Sequence, residues 1–320
     1  MNTPPIALLD AAYCLRPVDS DAGWRRCCAA LRTLPQPPGR VFLASILNGM
    51  TARQAVLREA GAPTVVPPDN AVTMLQRLFG PAVPVTQVHS ACTSGAVALG
   101  LAALTVRAQG GVAVAAAHEE RSLFNTSGFA ALQTLSRGRP RPFTRSRDGF
   151  RLAAGVGLAV LGRSADAAVT LAGFAMTNDA HHPTGPPREG EGLRRCIEAC
   201  LADARMEPGD VACLKFNAVG TPYSDAAEYK ALRAVWGEQL PRLPGYALKP
   251  ALGHLQGASG LVETVVAARY LQRGLVPPVA HADLDDLEFG LGLAAEPRRM
   301  DYANVLLLFW TLFRMTGSKG

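Results

Sequence analysis

Cysteine and histidine are the side chains of this sequence best suited to nucleophilic attack and proton transfer. One cysteine stands out by its surroundings. In "VHSACTSGAVALGLAAL" (88–104) a β-like segment ends at His89 and Ser90, small residues surround Cys92, and a long Ala/Leu pattern then begins. A thiol at the start of a helix faces unpaired backbone N–H groups and the positive end of the helix dipole. That placement is expected to lower its pKa below the free value of about 8.5. The same N–H groups could hold the oxyanion of a thioester under attack. The competing reading is a small buried hydrophobe, a common fate of cysteine. The local pattern leaves the two in balance.

A second constellation lies in "KPALGHLQGASGLVE" (249–263). Lys249 and His254 precede a helix, Gly253, Gly257 and Gly260 leave room beside them, and Glu263 reaches Lys249 if the helix folds back. A histidine there can donate to a carbonyl oxygen or exchange a proton with a thiol. A lone histidine packed in a core is the plainer alternative. Cys196 and Cys200 stand four apart on an expected helix and read as core-facing. No paired CxxC pattern exists, so neither a metal nor a cofactor is expected.

The elements that must position these groups alternate between the two periodicities. "PIALLDAAY", "RVFLASIL", "VPVTQVHS", "GVAVAAAH" and "GVGLAVLG" read as strands, with "DAGWRRCCAALRTL", "NAVTMLQRLFG" and "SGAVALGLAALTVRAQ" as helices between them. After "GRSADAA" the alternation restarts. "VTLAGFAMTN" and "VACLKFNAV" are then expected strands, and "GEGLRRCIEACLADARM", "SDAAEYKALRAVWG" and "ASGLVETVVAARYLQRG" expected helices. This predicts an α/β chain of two similar halves, residues 1–165 and 166–320.

The 320 residues are 48% hydrophobic but only 6% aromatic, so Ala, Val and Leu must fill the core. A net charge of +6 favours acidic partners weakly. No basic stripe with interleaved aromatics suggests nucleic-acid binding. The apolar run "VLLLFWTLF" (305–313) is too short to span a bilayer as a helix. The N-terminus shows no secretory pattern, so a reducing cytoplasmic setting is expected.

Taken together, the segments resemble the β-ketoacyl-ACP synthases, the ketosynthases of fatty-acid and polyketide assembly. "SACTSGAVALGLAAL" resembles the nucleophile turn, "RPFTRSRDGFRLAAGVGLAVL" the Arg-Pro-Phe and Arg-Asp-Gly-Phe segment, "NDAHHPTGPPREGEG" the loop opening the second half, and "KPALGHLQGASGLVE" the Lys/His segment. The resemblance runs from about Val85 to Pro278. It implies a thiolase-like fold, two similar halves in a five-layered αβαβα sandwich, and a dimer, either of this chain with itself or with another ketosynthase-like subunit. It implies acyl-carrier-protein thioesters as substrates. Cys92 takes the place of the acylated nucleophile, His254 that of the second histidine, and Lys249 and Glu263 that of the charged pair beside it.

Three departures accompany the resemblance. Where the family carries Asn-Ala-His-Gly-Thr, this chain reads "FNAVGTPYSDAAE", with Val219 in place of the first histidine. Valine neither donates a hydrogen bond nor moves a proton, and losing one donor to an oxyanion costs about 100- to 1000-fold in rate. The family's C-terminal Gly-rich turn has no match in "NVLLLFWTLFRMTGSKG", expected to be one buried strand and a tail. The part before Cys92 is also short. His181 and His182 fall in a loop and read as structural. Arg137, Arg139 and Arg141 could dock an acidic carrier protein, whereas Arg147 and Asp148 are expected in buried structure. The reading is therefore an acyltransferase of the ketosynthase type working through acyl-Cys92, with decarboxylative condensation impaired by Val219. The alternative is a non-catalytic partner of an active ketosynthase, of the chain-length-factor kind.

Overall fold

Runs rich in Ala, Val and Leu form the central strands, because both faces of those strands are covered. The computed structural model describes residues 5–15, 27, 36–46, 70–182, 185–280, 283–299, 304–308 and 311–317. The first half holds β1 (Ile6–Leu15), β2 (Arg40–Ala44), α1 (Asn70–Phe79), β3 (Val85–Val88), α2 (Ser94–Gln109), β4 (Ala113–Glu119), α3 (Leu123–Ala131) and β5 (Gly155–Arg163). The second holds β6 (Val169–Met176), α4 (Glu191–Ala204), β7 (Leu214–Phe216), α5 (Pro222–Trp236), β8 (Gly245–Ala247), α6 (Lys249–Leu252), α7 (Ser259–Gln272), β9 (Leu275–Val276), β10 (Arg298–Arg299), β11 (Asn304–Leu308) and β12 (Thr311–Gly317). The expected helix at 21–34 lies outside the described residues apart from Cys27.

The strands run β3-β2-β4-β5-β1-β6-β12-β11-β7-β8, with β9 and β10 a separate pair. Strands β2, β3 and β4 are parallel, as are β7, β8 and β11, whereas β5, β1, β6 and β12 pair antiparallel. The five strands from each half meet through Ala7 opposite Thr170. Three apolar clusters lie in this frame. One packs α1 on the first-half strands, a second packs α4 and α5 on the second-half strands, and the largest surrounds α2 and α7 between the two groups of strands. This is the five-layered, thiolase-like arrangement. Sandwiching explains why α2 is apolar nearly all round and why every residue of β4 is buried.

The expected C-terminal strand and tail need correction. Residues 311–317 form a further strand, β12, inserted between β6 and β11. Ladder hydrogen bonds on both edges draw a segment of modest apolar content into the middle of the sheet order. Helix α3 and the short elements β8 and α6 are further additions to the expected set.

The two central helices touch backbone to backbone. A Cβ at Gly95 would lie 2.8 Å from the Gly257 carbonyl oxygen, and one at Gly260 would lie 2.6 Å from the Ala96 nitrogen. Gly128 on α3 faces open space. Overpacking costs about 1–3 kcal/mol, whereas Gly→Ala at an open helix site gains up to about 1 kcal/mol. Gly260→Ala is therefore expected to lower the urea midpoint and Gly128→Ala to hold or raise it. Equal midpoints would contradict the close crossing.

Candidate active site

The approach to Cys92 is built by hydroxyl groups. Ser94 Oγ donates to the Ala91 carbonyl at 2.7 Å and accepts from Ser90 N–H at 2.8 Å. Thr93 Oγ1 donates to the Ser90 carbonyl at 2.7 Å. These bonds hold Ala91 in the left-handed region, φ +46°, a conformation disfavoured for residues with a Cβ. The chain thereby turns sharply from β3 into α2 and leaves Cys92 part-buried at the junction.

The resting thiol is not a thiolate. Burial pushes the Cys92 thiol up to about 11, Glu119 adds to the rise, and Lys249 opposes it. The expected lowering is thus corrected, because loss of hydration outweighs the Lys249 charge and the backbone hydrogen bond that favour the thiolate.

Gly257 and Gly260, pressed against α2, bring the segment carrying His254 beside the Cys92 turn. The Arg-Asp-Gly-Phe segment grips this histidine. His254 N–H donates to the Arg151 carbonyl at 2.7 Å, Ala153 N–H donates to the His254 carbonyl at 3.0 Å, and the Phe150 ring lies 4.9 Å from the imidazole. The Gln256 N–H donates to His254 Nδ1 at 3.0 Å, and Ser259 Oγ lies 3.2 Å from the same nitrogen. A backbone N–H can only donate, so Nδ1 carries no proton and the neutral ring holds its proton on Nε2. Burial, aided by the charges of Lys249 and Lys215, holds the imidazole down to about 3. His254 is therefore a neutral Nε2–H donor, suited to a carbonyl oxygen that gains negative charge.

Lys249 Nζ donates to the Asn217 carbonyl at 3.0 Å and to Asn217 Oδ1 at 2.8 Å, and lies 3.0 Å from Glu263 Oε1. The charged pair expected from the sequence is present, both members buried. Lys215, a second lysine that the sequence reading passed over, ion-pairs with Glu263 Oε2 and donates to the Leu308 carbonyl at 3.2 Å. Burial pushes Lys215 down to about 7. Its signal in the sequence was a charge inside the apolar strand "VACLKFNAV".

Val219 sits in a loop held by two buried carboxylates of α5. Glu228 accepts from Asn217 N–H at 2.6 Å and Ala218 N–H at 2.8 Å, and Asp225 accepts from Gly220 N–H at 2.9 Å and Phe143 N–H at 2.8 Å. Burial raises Asp225 to about 6 and Glu228 to about 7. The loop keeps left-handed turns at Ala218 and Gly220, and Val219 is part-buried. It thus has a bonded framework with an apolar side chain at its centre.

The remaining candidates lie on loops. Arg137 and Arg139 are exposed and Arg141 is half-buried, while His181 and His182 are both exposed. Arg147 is buried against Glu288 and the Phe289 ring. Asp148, expected to be buried, is exposed. Its carboxylate accepts from Ser136 Oγ and Arg137 N–H, which closes the loop from the solvent side. Cys196 and Cys200 are core residues. Among the described residues no group of three His, Cys, Asp or Glu side chains is arranged to hold a metal ion.

Residues 46–167 match the family described as "Beta-ketoacyl synthase, N-terminal domain", and residues 168–283 match "Beta-ketoacyl synthase, C-terminal domain". A 3-oxoacyl-[acyl-carrier-protein] synthase 2 of Staphylococcus aureus (strain COL) is 31% identical over 249 residues, covering 72% of this chain and 60% of the relative. The chain thus spans about 60% of the length of the curated relative it matches. Among solved structures, a type II PKS acyl-carrier protein in complex with its ketosynthase includes a chain that superposes with TM-score 0.82 at 20% identity, covering 99% of this chain and 100% of that one. The ishigamide ketosynthase/chain length factor gives TM-score 0.80 at 24% identity, covering 93% and 80%. At these identities the structures speak to the fold.

A thiol raised to about 11 sets a clear pH dependence. Below that value the thiolate fraction grows tenfold per pH unit, and at pH 8 it is about one in a thousand. Iodoacetamide labelling of Cys92, followed by peptide mass, should accelerate steadily from pH 7 to pH 9. Lys249→Met should slow it throughout, since the lysine charge favours the thiolate. A plateau near pH 7 would contradict the buried, protonated thiol.

Proposed function

The chain belongs to the β-ketoacyl synthase family, and from that premise we propose that it transfers acyl groups through a thioester on Cys92. The observation carrying this reading is the neutral, tautomer-fixed His254 beside the Cys92 turn. Its Nε2–H makes no hydrogen bond among the described residues and is available to a substrate oxygen.

The sulfur of Cys92 attacks the carbonyl of an acyl-carrier-protein thioester. A carbon–sulfur bond to Cys92 forms, the bond to the carrier breaks, and the proton given up by Cys92 leaves on the carrier thiol. His254 Nε2–H stabilises the oxyanion. Lys249 supplies a positive charge near the thiol and, held by Glu263, anchors the Asn217 loop. No cofactor or metal takes part. Arg137, Arg139 and Arg141 form the docking surface for the acidic carrier. The chain works in the cytoplasm as a dimer with itself or with a ketosynthase-like partner, each half of the chain, 1–165 and 166–320, contributing to the site.

Val219 is the place where this chemistry is curtailed. Decarboxylative condensation needs a second donor to the malonyl carbonyl, and a valine side chain has none. The same substitution supports a second reading, a chain-length-factor-like partner with no acyl chemistry of its own.

Incubation with an acyl-CoA or acyl-carrier thioester should give an acyl adduct by intact mass, absent in Cys92→Ala. Malonyl decarboxylation should be weak and should rise by about 100-fold in Val219→His. An adduct that never forms, together with altered product length when the chain is paired with an active ketosynthase, would favour the second reading.

A further inference from the structure

Helix α3 buries only Asn125 among its nine residues, leaving Leu123 and Phe124 open to solvent. Ser122 caps the helix by accepting from Asn125 N–H at 3.1 Å, which fixes the backbone of the buried residue. The Asn125 side chain leaves its own helix and donates from Nδ2 to Gln256 Oε1. On the other side of the same amide, Gln256 Nε2 donates to the Glu120 carbonyl at 3.3 Å. A carbonyl oxygen only accepts, so the Gln256 amide has one allowed orientation, with Oε1 toward Asn125.

These two bonds clamp a residue whose backbone is in an unfavourable conformation. Gln256 has φ +51°, a region disfavoured for residues with a Cβ. In that conformation its N–H turns back onto His254 Nδ1. Gln256 and Ser259 are the hydrogen-bond partners that reach this nitrogen among the described residues. The Ser259 hydroxyl can donate or accept, so by itself it does not choose the tautomer. The backbone N–H of Gln256 can only donate.

We infer that Asn125 is a positioning residue for His254. By holding the Gln256 side chain it keeps the Gln256 N–H on Nδ1, and so keeps the imidazole proton on Nε2, where the acyl-transfer chemistry needs a donor. The catalytic use of His254 rests on the function proposed above, but the Asn125–Gln256–His254 linkage does not.

The test is nitrogen NMR on protein labelled with 15N-histidine, with the His254→Gln variant identifying the His254 signals. The unsubstituted protein should show one protonated Nε2 and one bare Nδ1. Asn125→Leu, which leaves Gln256 Oε1 without its donor, should give a mixture of the two tautomers. Asn125→Ser, whose shorter side chain does not reach Gln256 Oε1, should do the same and covers the case in which the leucine variant fails to fold. Gln256→Ala removes the clamp from the other end and should match them. Acyl-Cys92 formation should slow roughly tenfold in the folded variants, while iodoacetamide labelling of Cys92 stays near its unsubstituted rate. A His254 that keeps its proton on Nε2 alone in folded Asn125→Ser and Gln256→Ala would overturn the inference. An altered tautomer in a protein that forms no acyl adduct would uphold the inference and count against the acyl-transfer reading instead.

Discussion

The approach of α2 to α7 is the contact on which the candidate site depends. Gly95 and Gly260 let two backbones meet at distances a methyl group would forbid. One helix begins just after Cys92 and the other just after His254, so their crossing turns two distant loops into one site. Glycine is needed because the layer is closed on both sides by strands, and neither helix can retreat without opening the central core. The low aromatic content follows the same logic, since small side chains let helices lie close to sheets.

The interior beside this crossing carries an unusual amount of charge. Glu263 stands between Lys249 and Lys215, and two further carboxylates hold the Asn217–Gly220 loop by its backbone N–H groups. Each charge is expensive to bury and is offset by a partner, the two lysines for Glu263 and backbone N–H groups for Asp225 and Glu228. Burial keeps Cys92 protonated against the Lys249 charge, and burial together with the two lysine charges keeps His254 neutral. His254 is thus set to donate a hydrogen bond from Nε2, and the Cys92 thiol keeps its proton rather than storing a thiolate.

Val219 gives this framework its character. The loop around it has left-handed turns and two carboxylate anchors, so its backbone is held on both sides of an apolar side chain. The bonding that shapes the loop goes through main-chain groups, which are indifferent to the side chain at position 219. That independence is why the loop holds its shape around a valine while Lys249 and Glu263 stay paired.

Much of this was legible in the sequence. Cys92, His254 and Val219 lie in turns beside Gly, Ala or Ser, and Lys249 opens the short helix before one of them, so these segments leave a linear pattern. The strand and helix order followed from hydrophobic periodicity because each element packs one layer on the next. Other residues left little local trace. Lys215 lies in a short strand whose faces the sequence does not distinguish. Asn125 sits in a helix of weak formers, "LFNTSGFAA", with no amphipathic stripe. β12 takes its place through ladder bonds to β6 and β11 rather than through its own pattern. The sequence by itself determined which groups are available and in what order the layers follow. Only the tertiary structure decided their protonation and tautomer, because those depend on how much water is excluded and which distant donor reaches each nitrogen, sulfur or oxygen.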